Sequence, residues 1–423
     1  MNGKRYFTLN PESSLAVVRA ISPETIRPAS VTATGKRLES IDLLRGIVMI
    51  IMALDHVRDY FHRDAFFYSP TDLSKTSVVL FFTRWITHFC APVFVFLTGV
   101  SAHLYGLKRS RKELSFFLLT RGIWLILIEV FILSLIKTFN PSFPFLNLQV
   151  IWAIGISMIA LSALIYMNGM LILATGFLLI ACHNLLDKIH IPGNGLSSFL
   201  WSLLHEQGQF SYGHFNVSVF YPVLPWIGIM AMGYCFGSLY IPGYDAFKRR
   251  MTFSIIGIYA IAFFVFLRSG NWYGDAAHWS GQKNFIFSVL SFLNTTKYPP
   301  SFLYVLMTLG PALIFLAIAE KPLGKWAAKI RVIGRVPMFY YLSHYLLIHL
   351  LASFGAIISG YKFSDMVISD FVNKEPQLKG YGFNLLIVYL VWISVIFFLY
   401  PLCKKFDGFK RARQSEYWWL SYL

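Results

Sequence analysis

Long apolar runs separated by short polar segments recur along almost the whole chain. A run of about 20 mostly apolar residues is long enough to cross the hydrocarbon core of a bilayer as an α-helix. The pattern therefore predicts an all-α, polytopic membrane helix bundle with about ten transmembrane helices. The predicted spans are residues 41–60, 77–105, 114–138, 148–166, 169–187, 218–241, 251–268, 300–319, 335–358 and 383–403.

Polar segments at the two ends divide the chain into three parts. Residues 1–36 carry scattered Pro, Ser and Thr without an apolar run, which predicts a loosely ordered cytoplasmic tail and not a signal peptide. Residues 37–405 form the predicted transmembrane domain, and residues 406–423 a cytoplasmic C-terminal tail. The loops 188–217, 269–299 and 359–382 on the predicted outer side are long, and long loops on one side often shape a binding site.

Composition supports the membrane assignment and excludes a soluble class. The 423 residues are 56% hydrophobic and 13% charged, whereas soluble domains carry about 25% charged residues. The net charge of +17 could suggest nucleic acid as a partner. The basic residues lie mostly at the ends of the predicted spans, where they orient the chain and contact anionic lipid. We therefore expect the lipid bilayer as a partner and no nucleic acid.

The distribution of basic residues also predicts the orientation. With the N-terminus inside, 23 of the 37 lysines and arginines fall in inside segments and 11 in outside segments or outer span ends. Cytoplasmic loops of membrane proteins carry the excess of Lys and Arg. Both termini are therefore predicted to be cytoplasmic.

The first predicted span carries a line of polar residues. Arg45 and His56 are 11 positions apart, which is three helical turns plus about 20°, or about 16 Å along the axis. Asp42 lies within about 60° of Arg45 around the helix, and Asp59 within about 60° of His56. Ionisable side chains within a membrane face the protein interior or a wet cavity. The helix is therefore predicted to line a path, with Arg45 near the inside and His56 near the outside.

These residue types suggest a definite chemistry. A histidine beside a carboxylate is a general base, and Asp59 at i+3 could reach His56, with Asp55 next to it in sequence. An arginine suits a phosphate, because its guanidinium is always charged. A phosphate-bearing donor from the cytoplasm would fit this spacing. Alternatively, Asp42 and Arg45 form an ion pair at a helix end and His56 marks the interface.

Other spans add candidates at similar depths. Arg84 and His88 are four residues apart and share a helix face, so they could cluster with His56. Alternatively, His88 packs in the core and Arg84 reaches outward. Arg121, near the inner end of the third span, is a second candidate for a phosphate.

One acidic residue and two histidines also fall within the predicted spans. Glu129 could pair with a histidine or arginine from another helix. His344 falls near mid-membrane and is preferred over His349 for the cavity. No metal-binding pattern such as HExxH or CxxC occurs, so no metal is expected. The four cysteines lie in apolar runs and are interpreted as packing residues.

Several of these segments, in this order, resemble a known family. They include SIDLLRGIVMIIMALDH, FFTRWITHFCAPVFVFLTG, RGIWLILIE, QVIWAIGISMI, YPVLPWIGIMAMGYCFG, TTKYPPSFLYVLMTLG and GRVPMFYYLSHYLLIH. Together they resemble the bacterial members of the heparan-alpha-glucosaminide N-acetyltransferase catalytic-domain family, within a wider group of transmembrane acyltransferases. The resemblance covers about residues 40–350.

The resemblance implies an enzyme that moves an acyl group, typically acetyl, from cytoplasmic acyl-CoA across the membrane. The acceptor would be an amine or hydroxyl of an extracytoplasmic sugar or glycan. The spacing of Arg45 and His56 also resembles the motif of the broader membrane O-acyltransferases, in which the histidine is catalytic and the arginine helps to hold CoA. His344 resembles a histidine of the family's late helix. A multi-pass protein of a bacterial plasma (inner) membrane is implied.

The expected site follows from both lines of inference. Catalytic candidates are His56, His88, His344 and Asp59, and candidates for binding acyl-CoA as co-substrate are Arg45, Arg121 and Arg84. The identity of the base, direct transfer or an acyl-enzyme, the acceptor, the acyl group and the oligomeric state, a homodimer included, stay open. The alternative from another class is a multi-pass transporter in which the His/Arg line is a substrate or proton path.

Overall fold

Helices make up most of the structure, a computed structural model that describes residues 39–320, 324–414 and 416–421. The predicted tail at residues 1–36 lies outside these described residues. Within them, the α-helices are α1 (Glu39–Phe61), α2 (Val78–Trp85), α3 (Cys90–Gly106), α4 (Arg111–Leu127), α5 (Ser134–Thr138), α6 (Val150–Leu164), α7 (Gly169–Ala181), α8 (Leu196–Leu204), α9 (Leu224–Phe236), α10 (Ala246–Ser269), α11 (Phe285–Leu293), α12 (Phe302–Ile318), α13 (Lys325–Arg335), α14 (Pro337–Ile358) and α15 (Leu385–Arg413).

Each predicted span overlaps at least one of these helices. Five helical segments of the described chain are long and apolar enough to cross a membrane: Val78–Gly106, Arg111–Thr138, Ala246–Ser269, Pro337–Ile358 and Leu385–Arg413. The helices α6, α7, α9 and α12 are apolar but shorter. Helix α1 has the length, but charged residues near both of its ends, from Glu39 to Arg45 and from Asp55 to Asp59, shorten its uncharged apolar stretch. The mostly helical membrane fold is confirmed, whereas the number of ten spans and the orientation stay predictions.

A small sheet is the part of the fold that the all-α prediction missed. Its strands are β1 (Phe145–Leu148), β2 (Gly208–Tyr212) and β3 (Phe215–Val219), in the order β1-β3-β2. Strand β3 pairs parallel with β1 and antiparallel with β2. The strands are four or five residues long, too short to give a clear alternating pattern among longer apolar runs. Helices α8, α11 and α13 also lie in segments predicted as loops.

Local sequence signals set several helix starts. Ser110 begins α4 with a reciprocal cap, because its hydroxyl accepts from the Glu113 amide while the Glu113 carboxylate accepts from the Ser110 amide. Ser301 and Asn384 cap α12 and α15 in one direction only: the side-chain oxygen of each accepts from an amide three residues on. Such caps satisfy amides that have no partner within the helix.

Helix α1 lies at the centre of the bundle and packs against α3, α13, α14 and α15. Among its polar residues, Asp42, Asp55 and Arg58 are between 4% and 8% exposed, and those at positions 45, 56 and 59 are partly buried. At Gly46 and Gly334 the backbones of α1 and α13 come so close that a Cβ on either glycine would overlap the other helix. The polar line of α1 therefore faces protein and not lipid, as the sequence predicts.

Candidate active site

A cavity of about 820 Å³ opens beside the C-terminal half of α1, the predicted outer end. Four of the predicted site residues line it: His56, Asp59, Arg84 and His88. They reach it from α1, from α2 and from the short 3₁₀ turn Ile86–Phe89 between α2 and α3. The cavity wall also includes parts of the outer loops, such as residues 294–298 and 370–374. The structure thus brings these four side chains around one space.

The closest contact between predicted site residues joins two imidazoles. His56 Nδ1 lies 2.7 Å from His344 Nε2. His344 is fully buried behind His56, and its Nδ1 lies 2.9 Å from the backbone carbonyl oxygen of Tyr340, one turn earlier in α14. His56 itself is only partly buried and lines the cavity. The preference for His344 at the site is thus matched by its position directly behind His56.

The partners of the two rings determine where the protons lie. A carbonyl oxygen only accepts, so His344 Nδ1 carries a hydrogen and donates it to Tyr340. The Nε2 of a neutral His344 then holds a lone pair, and His56 Nδ1–H donates to it. The remaining nitrogen, His56 Nε2, keeps a free lone pair and has no hydrogen-bond partner among the described residues. This arrangement gives a ring that can accept a proton from a group in the cavity.

Aromatic rings hold the His56 imidazole in place. Tyr345 stacks on it with ring centroids 4.0 Å apart, and Tyr341 meets its edge at 6.2 Å. His344 stacks in turn on Tyr340 at 5.3 Å. Three of these rings, from Tyr340, Tyr341 and Tyr345, belong to α14, so one helix positions both the second histidine and the walls around the first.

The expected pair of His56 with Asp59 is not formed. Asp59 Oδ1 accepts from Arg58 Nη2 at 2.6 Å, and the same nitrogen donates to Asp55 Oδ1 at 2.8 Å. Arg84 Nη1 donates to the second oxygen of Asp55. Two carboxylates and two guanidinium groups thus neutralise one another at the cavity wall. The prediction that a carboxylate orients His56 is wrong, because the arginines bind both candidate carboxylates.

A second polar cluster lies where the third predicted span departs from regular α-helix. The π-helical turn Ile128–Leu133 connects α4 to α5 and contains Glu129, which is 1% exposed. Lys137 Nζ donates to Glu129 Oε1 at 2.8 Å and to Gln149 Oε1 at 2.6 Å. Glu129 therefore pairs with a lysine, not with the histidine or arginine of another helix that the sequence suggested.

This cluster is built onto a helix N-terminus and adjoins the His56 pocket. Glu129 Oε2 accepts from the amide of Ile151, in the first turn of α6, at 3.1 Å, where a negative charge is favoured. Lys137 Nζ lies 5.2 Å from the centre of the Tyr345 ring, the ring that stacks on His56. Glu129, Lys137 and Gln149 all line the cavity. Turns of π-helix often occur at functional sites.

The loop before α12 contributes a tyrosine with altered acidity. Arg84 Nη2 donates to the Tyr298 hydroxyl at 3.4 Å, and Lys297 Nζ lies 5.1 Å from the centre of the same ring. Burial opposes ionisation of the phenol, but the cationic groups of Lys297 and Arg84 outweigh it and hold the pKa of Tyr298 below its usual value. Tyr298 therefore offers a hydroxyl that donates a hydrogen bond readily to an oxygen in the cavity.

His88 borders the same cavity without touching His56 by any contact that the structure shows. It is 3% exposed, and its Nδ1 has no hydrogen-bond partner among the described residues. Its backbone carbonyl accepts from the Tyr304 hydroxyl at 2.6 Å, and its ring lies 5.5 Å from that of Tyr304. The structure thus places His88 on the wall and not next to the His56–His344 pair.

A smaller cavity of about 90 Å³ lies further along the bundle, toward the predicted inner side. It is mostly apolar, and Arg121 lines it. Five residues line both cavities: Met52, Cys90, Ala91, Val150 and Tyr341. The two cavities therefore adjoin between α1, α3, α6 and α14, and Arg121 lines the smaller one while His56 lines the larger one.

Arg45 lines neither of these two cavities. Its guanidinium donates to the Ser101 hydroxyl at 3.0 Å and to the Gly334 carbonyl at 3.4 Å, and it pairs with Asp42 at 3.4 Å. The inner end of α1 is thus tied to α3 and α13. The alternative in which Asp42 and Arg45 form an ion pair at the helix end matches the observed contacts.

Some residues of this site were not singled out from the sequence. They are Arg58, Lys137, Gln149, Lys297, Tyr298, Tyr341 and Tyr345. Lys137 and Lys297 looked like ordinary basic residues at outer span ends. Tyr341 and Tyr345 did give a signal, because they lie at i−3 and i+1 from His344, a predicted site residue on the same helix.

The chain that carries this site matches a known protein family. The model of the family "Heparan-alpha-glucosaminide N-acetyltransferase, catalytic" matches residues 37–269. The chain belongs to this family. Among curated proteins, none matches the chain.

Membership in the heparan-alpha-glucosaminide N-acetyltransferase catalytic family confirms the family that the resemblance indicated, while the bacterial origin stays a prediction. It makes the chain a membrane protein with a transferase function of the acyltransferase type. The matched residues include α1 with His56 and the segment with Arg84 and His88, whereas His344 lies beyond them. Nothing in the comparison supports the transporter interpretation.

Proposed function

We propose that this protein transfers an acyl group, most simply acetyl, from cytoplasmic acyl-CoA to an amine or hydroxyl of a sugar or glycan on the outer side. His56 is the general base, and His344 orients it. The observation that carries the proposal is the chain of contacts from His56 Nδ1 to His344 Nε2 and from His344 Nδ1 to the Tyr340 carbonyl, beside a large cavity that His56 lines. With the protons assigned as above, it leaves a lone pair on His56 Nε2.

The proposed step is a direct acyl transfer. The acceptor nitrogen or oxygen attacks the thioester carbonyl carbon as His56 Nε2 takes the proton from the acceptor. The resulting imidazolium is stabilised because its Nδ1–H still donates to His344. The carbon–sulfur bond then breaks, and the CoA thiolate takes the proton back from His56 as it leaves. The atoms balance: acyl-CoA and acceptor become CoA thiol and acylated acceptor.

Charge in the transition state collects on the thioester oxygen, which needs a hydrogen-bond donor. The Tyr298 hydroxyl is suited to this role, since cationic neighbours make its proton a better donor. Arg84 supports Tyr298 by donating to its oxygen at 3.4 Å. Arg84 is thus a positioning residue in this proposal, and His88 contributes to the cavity wall.

The route of the donor follows the two adjoining cavities. The pantetheine arm is an extended chain of amides and methylenes, which suits a narrow and mostly apolar passage. We place this arm in the small cavity, which is mostly apolar, is lined by Met52 and Val150 and has Arg121 in its lining. Arg121 is proposed to attract the phosphates of CoA at the inner side. Arg45 acts here through the inner ion pairs and not by contact with the donor.

Sugar acceptors suit the larger cavity. Its lining combines charged groups of both signs with aromatic rings, including Phe67, Phe220, Tyr298 and Phe371. Hydroxyl and amino groups of a sugar hydrogen-bond to such charged groups, and the apolar face of a sugar ring packs on aromatic rings. The proposal therefore places the acceptor between the aromatic rings and His56.

Purified protein with radiolabelled acetyl-CoA and a panel of amino sugars and neutral glycans tests this function. We expect label in at least one acceptor, and loss of transfer by at least about 100-fold in His56→Ala. His278→Ala is the matched control, because His278 is exposed in an outer loop and does not line the cavity. It is expected to keep wild-type activity.

Three results would count against the proposal. Full activity in a folded His56→Ala variant would show that His56 is not the base. Failure of CoA to bind wild-type protein would remove the proposed donor. Protein-bound label that forms without acceptor, survives rapid gel filtration at neutral pH and is absent in His56→Ala would replace direct transfer by an acyl-enzyme.

A further inference from the structure

We propose a binding site for a divalent transition-metal ion, with Zn²⁺ as the preferred ion, formed by His183, Asp187 and His205. None of the three lines the cavity that contains His56. One ligand atom from each lies within 4.8 Å of the others. The site is independent of the proposed acyl transfer, and its test does not use activity.

Local structure brings the three residues together. His183 and Asp187 flank a single 3₁₀ turn, His183–Leu186, directly after α7, so their side chains project from the same short segment. His205 is the residue that follows α8. His205 Nε2 lies 3.1 Å from Asp187 Oδ1, and the two imidazole rings meet edge to face with centroids 5.5 Å apart.

Unsatisfied nitrogen atoms indicate that something is needed between these side chains. His183 and His205 are each 3% exposed. Both ring nitrogens of His183 and the Nδ1 of His205 are buried without a hydrogen-bond partner in the described structure. The Pro300 backbone makes a weak polar contact with His183 that falls short of regular hydrogen-bond geometry. Buried polar atoms without partners are rare because leaving them unpaired is costly.

The donor set fits a metal better than it fits a second proton partner. Two imidazoles and one carboxylate are common ligands of Zn²⁺, which binds nitrogen and oxygen at about 2.0–2.2 Å. Ligand atoms of a tetrahedral site are then about 3.3 Å apart. The distance of 3.1 Å between His205 Nε2 and Asp187 Oδ1 is close to this value, and a ring nitrogen of His183 lies within 4.8 Å of both atoms. Asp187 has a side chain 21% exposed, which leaves a path for the ion and room for water as a fourth ligand.

Further contacts hold the carboxylate in a suitable orientation. Asn184 Nδ2 donates to Asp187 Oδ2 at 2.8 Å, which leaves Oδ1 directed to the histidines. Asn184 Oδ1 accepts from the amide of Phe302 at the start of α12 at 2.9 Å. Such outer contacts orient ligands in metal sites. A bound ion would join the ends of α7 and α8, while Asn184 joins the site to α12.

Metal binding to the full-length chain in detergent tests the proposal. After chelation and desalting, we expect about one Zn²⁺ per chain in a competition titration with a chromophoric chelator. The variants His183→Ala and His205→Ala should each weaken binding by at least about tenfold. His190→Ala is the matched control, because His190 follows the same turn, has a side chain 67% exposed and has Glu206 as its one ion-pair partner among the described residues. It should bind Zn²⁺ as wild type does.

Two measurements on wild-type protein keep the test decisive if a variant does not fold. Co²⁺ should give visible absorption bands of a four-coordinate site, and Zn²⁺ should raise the thermal unfolding midpoint. Less than about 0.2 equivalents of Zn²⁺ at micromolar concentration with no Co²⁺ bands would overturn the site. Unchanged affinity in folded His205→Ala would do the same, and would leave a plain His205–Asp187 hydrogen bond beside a packed histidine.

Discussion

The two ends of α1 look alike in sequence but have different surroundings in the structure. Each end pairs acidic with basic or imidazole residues on the buried face of the helix. At the outer end, His56 faces a cavity of about 820 Å³. At the inner end, Arg45 is held by Asp42, Ser101 and the Gly334 carbonyl, and lines neither cavity.

The inner ion pairs extend well beyond Arg45. Arg335 of α13 pairs with Asp42 at 3.7 Å and with Asp407 of α15 at 3.2 Å, and Arg411 pairs with Asp407 at 3.0 Å. Asp407 is 1% exposed. Three helices are thus joined by charges that satisfy one another, which is a structural use of ionisable groups. A polar line in a membrane helix therefore shows which face is buried, but not which part of it is a site.

The largest effect in this comparison is expected at the outer end, from His344. His344→Phe keeps a ring but removes the acceptor for His56 Nδ1–H, so kcat should fall by about 10–100-fold with the acceptor KM nearly unchanged. His344→Gln retains an acceptor oxygen and should recover part of the loss. Steady-state kinetics of folded protein measure both.

Equal kcat in His344→Phe and wild type would show that the hydrogen bond from His56 to His344 does not orient the base. A rise in KM with constant kcat would instead assign His344 to acceptor binding. The change at His344 cannot act through direct contact with the cavity, since His344 does not line it.

At the inner end, we expect substitutions to lower the stability of the fold and to leave the transfer activity unchanged. Asp407→Ala leaves Arg335 with a weakened set of partners and should destabilise the fold by about 1–3 kcal/mol, seen as a lower thermal midpoint in detergent. The expected destabilisation is small, because Arg411, one of the partners of Asp407, has a side chain 60% exposed, and solvent screens its interaction with Asp407. Activity per folded molecule should stay within about twofold.

Arg45→Ala distinguishes the two interpretations of the inner end directly. The observed contacts predict a lower thermal midpoint with an unchanged KM for acetyl-CoA. An increase of about tenfold or more in that KM, with stability retained, would restore Arg45 as a ligand of the CoA phosphates. Lys108→Ala in the short loop after α3 is a useful control for general loss of positive charge on the same predicted side.

The smallest effect is expected from the phenol at the cavity wall. Tyr298→Phe removes one proposed donor to the thioester oxygen and should lower kcat by about 3–30-fold, since one hydrogen bond is lost from a partly exposed group. Transfer rates with acetyl-CoA at saturation measure this. Wild-type kcat in Tyr298→Phe would remove Tyr298 from the mechanism and leave the His56 assignment unaffected.

The parts of the molecule that could be predicted share a physical basis. Helix positions followed from apolar runs, and the burial of the α1 polar line followed from the cost of charge in lipid. The nearness of His56, Arg84 and His88 to one cavity followed from depth along predicted spans. These features depend on local pattern and on one strong environmental constraint.

The parts that could not be predicted depend on contacts between distant segments. The partner of His56 lies 288 residues away, whereas the expected Asp59 is taken by the adjacent Arg58. The three-stranded sheet joins residues near 146 to residues near 217 through strands too short to show a period. The cluster of His183, Asp187 and His205 also depends on two helix ends that meet in the fold. No spacing in the sequence indicates this cluster, which is why the sequence led to the expectation of no metal.

The most direct test uses sealed vesicles containing the purified protein, with radiolabelled acetyl-CoA on one side and an acceptor only on the other. We predict that wild-type protein labels the acceptor across the membrane and that His56→Gln does not, with His278→Ala equal to wild type. Transfer that occurs only when donor and acceptor share one side, or transfer by His56→Gln at the wild-type rate, would contradict a route from the inner cavity to His56.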